Sequence, residues 1–176
     1  MDTKPIENKV KKNKKLVTID LKQFFDDTPI KELDIKDFLY QELLLKEKDF
    51  RESLENHDWS QYEDSYLVTY CSTDAIVAPW AYMLVAQYAS EYARDVLKGS
   101  KEEMLNRRFQ MAFDDHDWSQ YQDKRVLLKG CSDVKVTEAA YVMATNKLIP
   151  YVDRIMYGEA CSFVPVYRRP KQKKKK

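Results

Sequence analysis

The stretch His57-Asp-Trp-Ser-Gln-Tyr62 returns unchanged as His116-Asp-Trp-Ser-Gln-Tyr121. Each copy leads into a short apolar run that ends in Cys-Ser, first Cys71-Ser72 and then Cys131-Ser132. A third pair, Cys161-Ser162, stands near the end of the chain. When the two hexapeptides are aligned, Phe50 falls on Phe109, Asp64 on Asp123, Ala81-Tyr82 on Ala140-Tyr141 and Gly99 on Gly158. The cysteines are one step out of this register, because Gly130 is an extra residue before Cys131 and Thr73 has no counterpart. An added glycine beside a strand end is what a β-bulge or tight corner needs.

Outward from the hexapeptides, the pattern alternates between helix and strand periods. Leu16 to Asp20 is β-branched and alternating and predicts a first strand. Asp26-Asp-Thr-Pro29 predicts a turn. Phe38 to Leu45 fits either period and is assigned to a strand by analogy with Asp95 to Gly99. Lys46 to Asn56 predicts a helix with Phe50 and Leu54 on one face. Ser65 to Cys71 predicts a strand, and Pro79 suits the first turn of a helix running from Trp80 to about Arg94. That helix is apolar nearly all round and has to be buried against a sheet or a second subunit.

The second half repeats the order. Ser100 and Glu103 form a capping box that starts a helix running to about Asp114. Arg125 to Gly130 predicts a strand, Thr137 caps a helix ending by Pro150, and Arg154 to Tyr157 predicts a strand ended by Gly158. Ser162 to Tyr167 is a last extended piece. The expected fold is α/β: a single domain over residues 16–167, with a mostly parallel or mixed sheet and packed helices. It is built from two duplicated helix–strand–helix–strand units, about 38–96 and 97–155. Residues 1–15 and 168–176 are expected to be disordered basic tails.

Charge narrows the function classes. The chain carries a net +1, but residues 1–15 hold six Lys and two acids, and residues 168–176 hold seven Lys or Arg and no acids. That leaves 17 basic and 27 acidic groups, a net −10, over residues 16–167. An acidic core repels phosphate backbones, so no specific nucleic-acid partner is expected. No apolar run is long enough to span a membrane, and the polar N-terminus is not a secretory signal, which points to the cytoplasm. Three cysteines, an odd number, argue against a disulfide framework in such a chain. Only three glycines are present, each at a strand end, which removes Gly-rich dinucleotide and P-loop sites.

Cys71, Cys131 and Cys161 all follow predicted strands at the carboxyl end, where parallel sheets collect ligands. Three thiolates at such positions suit an iron–sulfur cluster with one open iron, or zinc with Asp74, Asp133 or water as fourth ligand. The alternative is that they are small buried apolar residues. A Cys–His nucleophile is disfavoured, because His57 precedes its strand and Cys71 ends it, about 20 Å away for a strand of that length. The hexapeptides have a structural account as short helical turns, with Trp59, Tyr62, Trp118 and Tyr121 covering the sheet's amino edge; an aromatic recognition corner is the functional alternative. No catalytic residue is assigned, and an enzyme is the less favoured reading.

The motifs KEKDFRESLENHDWSQY, CSTDAIVAPWAYMLV, KGCSDVKV and IMYGEACSFVPVYRR together resemble domain-of-unknown-function family 2480 of Bacteroidota, over about residues 16–169. Ala160 departs from the Gly-Glu-Pro-Cys-Ser pattern of that family, which loosens the turn before Cys161 and leaves the thiol in place. The resemblance carries no activity. It implies a setting beside sulfur-mobilisation iron–sulfur assembly genes, and hence a cluster-related role with iron–sulfur assembly proteins as partners. The competing expectation is a metal-free interaction module, self-associating as a homodimer through the helix 80–94, with structural cysteines.

Overall fold

A computed structural model describes residues 15–130 and 135–170. Seven strands and four helices follow one another as β1 (Leu16–Asp20), β2 (Ile30–Asp34), α1 (Glu47–Glu55), β3 (Tyr66–Tyr70), α2 (Pro79–Ala89), β4 (Asp95–Lys98), α3 (Lys101–Asp115), β5 (Arg125–Lys129), α4 (Glu138–Leu148), β6 (Arg154–Glu159) and β7 (Ser162–Arg168). The mixed α/β class is as the sequence predicts. The strands, however, lie in two sheets rather than one, ordered β2-β3-β4 and β1-β5-β6-β7. The chain accordingly divides into two compact units: Asp26–Arg107, and Met1–Phe25 with Arg108–Lys176.

In the unit of residues 26–107 both strand pairings are parallel, with Ile30 opposite Tyr66 and Tyr66 opposite Asp95. Parallel neighbours need crossovers, supplied here by α1 and α2. The core holds Phe50 and Leu54 of α1, Leu67 of β3, and the stripe Ala81, Val85 and Ala89 of α2. Small residues every fourth position let α2 lie close to the sheet, while Met83 stays 69% exposed on its far side. The helix ends at Ala89, short of the expected Arg94, where the Ser90 hydroxyl donates to the Gln87 carbonyl over 2.7 Å.

Phe38 to Leu45 is not a strand. Asp34 accepts from the Lys36 amide over 3.1 Å and caps a one-turn 3-10 helix over Ile35–Phe38. Gln41 and Glu42 then adopt φ of 51° and 59°, a left-handed pair that no strand contains. The strand of this region is β2, just upstream. Its exposed Lys31 and Glu32 hide the apolar alternation. The same local device precedes it: Asp20 accepts from the Lys22 amide over 3.0 Å and caps a turn over Leu21–Phe24 after β1.

In the other unit, β1, β5 and β6 are parallel and β7 returns antiparallel to β6. Thr137 caps α4 as expected, its hydroxyl accepting from the Ala140 amide over 3.2 Å. Ala140, Ala144 and Leu148 repeat the buried stripe. Gly158 does not end β6 but lies within it at φ 114°, and β6 continues to Glu159 before the hairpin turn. Back in the unit of residues 26–107, the capping box that opens α3 is formed: the Ser100 amide donates to the Glu103 carboxylate over 2.7 Å, and the Glu103 amide to the Ser100 hydroxyl over 3.2 Å.

Candidate functional site

The hexapeptides form one-turn 3-10 helices over Trp59–Tyr62 and Trp118–Tyr121. Asp58 accepts from the Ser60 amide over 3.1 Å and Asp117 from the Ser119 amide over 3.0 Å. Gln61 and Gln120 reach back, each amide donating over 2.7 Å to the carbonyl of Asp58 or Asp117. Trp59 donates its indole N–H to the Leu54 carbonyl over 2.8 Å, and Trp118 to that of Phe113 over 2.7 Å. His57 Nε2 lies 3.1 Å from the Tyr62 hydroxyl, and His116 Nε2 lies 3.0 Å from that of Tyr121.

Both tryptophans are buried and spent on helix ends, so the hexapeptide works as a clasp between a helix and the following strand. Burial holds the His57 imidazole below its ordinary pKa of 6.5, against the opposing pull of Asp58. Glu55, Trp59, Tyr88 and Glu91 line a groove beside His57, but Tyr88 stacks on Trp59 with centroids 5.7 Å apart and covers the ring face a ligand would use.

Of the predicted thiol site, Cys71 is half-buried just past the carboxyl end of β3, its Sγ 3.3 Å from the Thr73 hydroxyl. Cys161 is exposed in the turn between β6 and β7. Both are free thiols, and Asp74 is exposed. Cys131 and Asp133 lie outside the described residues. Among the described residues, no three His, Cys, Asp or Glu side chains gather as metal ligands do.

The carboxyl ends of the strands are nonetheless polar in each unit. Beside Cys71, burial favours a neutral Asp34 carboxyl, but hydrogen bonds from Ser72 and the Lys36 amide outweigh it and hold the pKa below 3.8. Tyr82 is pushed up by burial and by the nearby Cys71 and Asp34. In the other unit, Lys129 Nζ stands 3.2 Å from Glu159 and 3.7 Å from Asp20. A Cβ on Gly130 would overlap the Tyr141 hydroxyl, so the added glycine lets this phenol sit against the strand end. Burial, then Tyr157 and Asp20, raise the Tyr141 pKa.

One set of residues escapes the sequence reading. Arg125, Arg154 and Arg168 are register partners across β5, β6 and β7, and Leu16 of β1 completes the row. They line a cavity of about 540 Å³ with Leu127, Met156, Phe163 and Pro165. A signal is present: each arginine opens or closes a strand at the same register, though none belongs to a motif that is read alone.

Residues 4–169 match a family described as a protein of unknown function, DUF2480. The chain belongs to DUF2480. No curated protein and no solved structure matches it. The DUF2480 match spans both units, so the hexapeptide clasps, the three cysteine positions and the arginine row all fall within the family's extent. No helix among the described residues is long and apolar enough to cross a membrane.

Proposed function

We propose that this DUF2480 chain is a protein–protein interaction module that self-associates through the face formed by α4 and the β6–β7 hairpin. One observation carries the reading. Val142 of α4, Tyr157 of β6 and Val164 of β7 are exposed by 60%, 51% and 60%, and the first two border one groove of about 610 Å³ with Tyr141 and Val166. Val164 is the register partner of Tyr157 and extends the same face. Exposed apolar clusters of this kind mark interaction sites. Among the described residues Glu138 is the only charged one on the groove, and homodimer interfaces are the more apolar class. A second copy therefore suits it better than a charged partner. The same patch on two chains also closes by a twofold.

Recurrence of the hexapeptide hydrogen bonds at both copies supports reading the two units as descendants of one helix–strand–helix–strand piece. In the first unit Met83 of α2, at the position equivalent to Val142, is also exposed, but Lys98 stands where Tyr157 does and, among the described residues, no strand pairs outside β4 to extend the face. The proposed contact thus belongs to α4 and the hairpin rather than to α2.

A thiolate-bound metal or iron–sulfur cluster is the second reading, favoured by Cys71 standing past a parallel strand and Cys161 standing in an exposed turn. Sedimentation equilibrium of the full chain at micromolar concentrations tests the first. A dimer that becomes monomeric with Val164→Asp or Val142→Asp, with unchanged circular dichroism, is the expected result. A wild-type monomer, or a dimer indifferent to both changes, overturns it.

A further inference from the structure

We infer that the arginine row of β5–β6–β7 is a binding site for a small amphiphilic anion, a carboxylate or phosphate group carried on an apolar body. Arg125 faces Arg154 and Arg154 faces Arg168 in direct register, so three guanidinium groups stand on one face of three adjacent strands. Strands lie about 4.8 Å apart, and like charges directly opposite one another destabilise a sheet. Asp153 is the carboxylate that answers them. Its Oδ2 is 3.6 Å from the Nε of Arg125 and 3.6 Å from the Nε of Arg154. That is too long for a hydrogen bond, and both Nε atoms are buried without a hydrogen-bond partner. No carboxylate pairs with Arg168 among the described residues, so the row keeps an excess of positive charge.

The rest of the groove is apolar. Leu16, Leu127, Met156, Phe163 and Pro165 line it, and its volume of about 540 Å³ is that of a small-molecule site. A guanidinium presents a planar fork of donors that matches the two oxygens of a carboxylate or phosphate. An anion placed over the row would satisfy the buried Nε groups and relieve the repulsion between strands, while its apolar body lies along Met156 and Phe163. A polyanion does not fit this reading: the charge is confined to one row across the sheet, and the chain between the tails is acidic. The site shares Met156 and Val166 with the α4 groove, but the three arginines line it alone, and it does not depend on self-association.

Isothermal titration of the full chain with decanoate, decyl phosphate and decanol, each below its micelle concentration, tests the inference. Decanoate or decyl phosphate binds at one site per chain and decanol does not; whichever anion binds more tightly identifies the headgroup. Arg154→Gln weakens that anion about tenfold or more, the scale of one charge-assisted hydrogen bond. Arg168→Gln, on the exposed edge strand, weakens it in the same direction and remains informative if Arg154→Gln does not fold. Decanol binding as well as the anions, no binding by any of the three, or folded arginine variants with unchanged affinity would overturn the assignment.

Discussion

The indole N–H of Trp59 is tied to the carbonyl of Leu54 over 2.8 Å, so the last turn of α1 is closed by a residue beyond it. Helix ends leave carbonyls without intrahelical partners, and a buried one needs a donor from elsewhere. Trp59→Phe keeps most of the ring packing and leaves that carbonyl with only the longer bond from the His57 amide, at 3.3 Å. A loss of about 1–2 kcal/mol is expected. Urea unfolding of Trp59→Phe and Trp118→Phe, which repeats the arrangement at Phe113, checks it; an unchanged midpoint in both would show that water replaces the indole.

His57 makes stability depend on pH in a stated direction. Its folded pKa lies below 6.5, so the unfolded chain takes up a proton first as the solution is acidified. The contribution is fully present above about pH 6.5 and is lost as pH falls from there through the depressed folded value. Asp34 acts in the same direction in a lower window, below 3.8, which keeps the two separable. Between pH 7.5 and 5.5 the urea midpoint should fall for the wild type and fall less for His57→Phe. Parallel curves for the two proteins would assign the slope elsewhere.

Gly158 takes φ of 114° inside β6, and a Cβ there would stand 2.8 Å from the Ser162 carbonyl oxygen across the hairpin. Gly158→Ala meets both the backbone penalty and the close approach, for an expected loss of about 1–3 kcal/mol. Thermal unfolding reads it. Gly130→Ala meets the movable end of Tyr141 and, at 3.3 Å, the Cβ of Val136, without the backbone penalty, and should cost less, with the change visible in tyrosine fluorescence.

Metal content separates the two functional readings. Chain purified without oxygen is expected to be colourless and to hold neither iron with sulfide nor stoichiometric zinc, before and after attempted cluster reconstitution. Iron and sulfide that disappear in Cys71→Ser, Cys131→Ser and Cys161→Ser alike would establish the cluster reading instead.

Much of the fold is legible in the sequence because the deciding signals are local. Pro79, Thr137 and the Ser100–Glu103 box mark helix starts by satisfying or removing backbone donors, and all three act where the sequence puts them. β2 escapes a reading by periodicity, because an edge strand with Lys31 and Glu32 exposed has no reason to alternate cleanly. A better signal lies in the matched pair Asp20-Leu-Lys and Asp34-Ile-Lys, each capping a turn after a strand. The division into two sheets is not legible, because it depends on which partner each of two adjacent strands chooses. The candidate site is least legible of all. Cysteines draw attention one at a time, whereas the arginine row exists only once β5, β6 and β7 are in register.

The pairing of β1 with β5 has a consequence for how the chain is made. Leu16 meets Arg125, far downstream in the second half of the chain, and among the described residues β5 is the one strand β1 bonds to. During synthesis β1 therefore emerges well before its partner and waits, while everything needed for the β2-β3-β4 sheet follows directly behind it. Closing so long a loop in an unstructured chain is entropically unfavourable, growing by about 0.6 kcal/mol for each doubling. If residues 26–107 fold during that wait, the span to be closed shrinks to a compact insert. The first strand of that sheet is then seated only once β5 has been made, a late step that a nascent-chain experiment would see as protection of residues 16–20 only after residue 129 has left the ribosome.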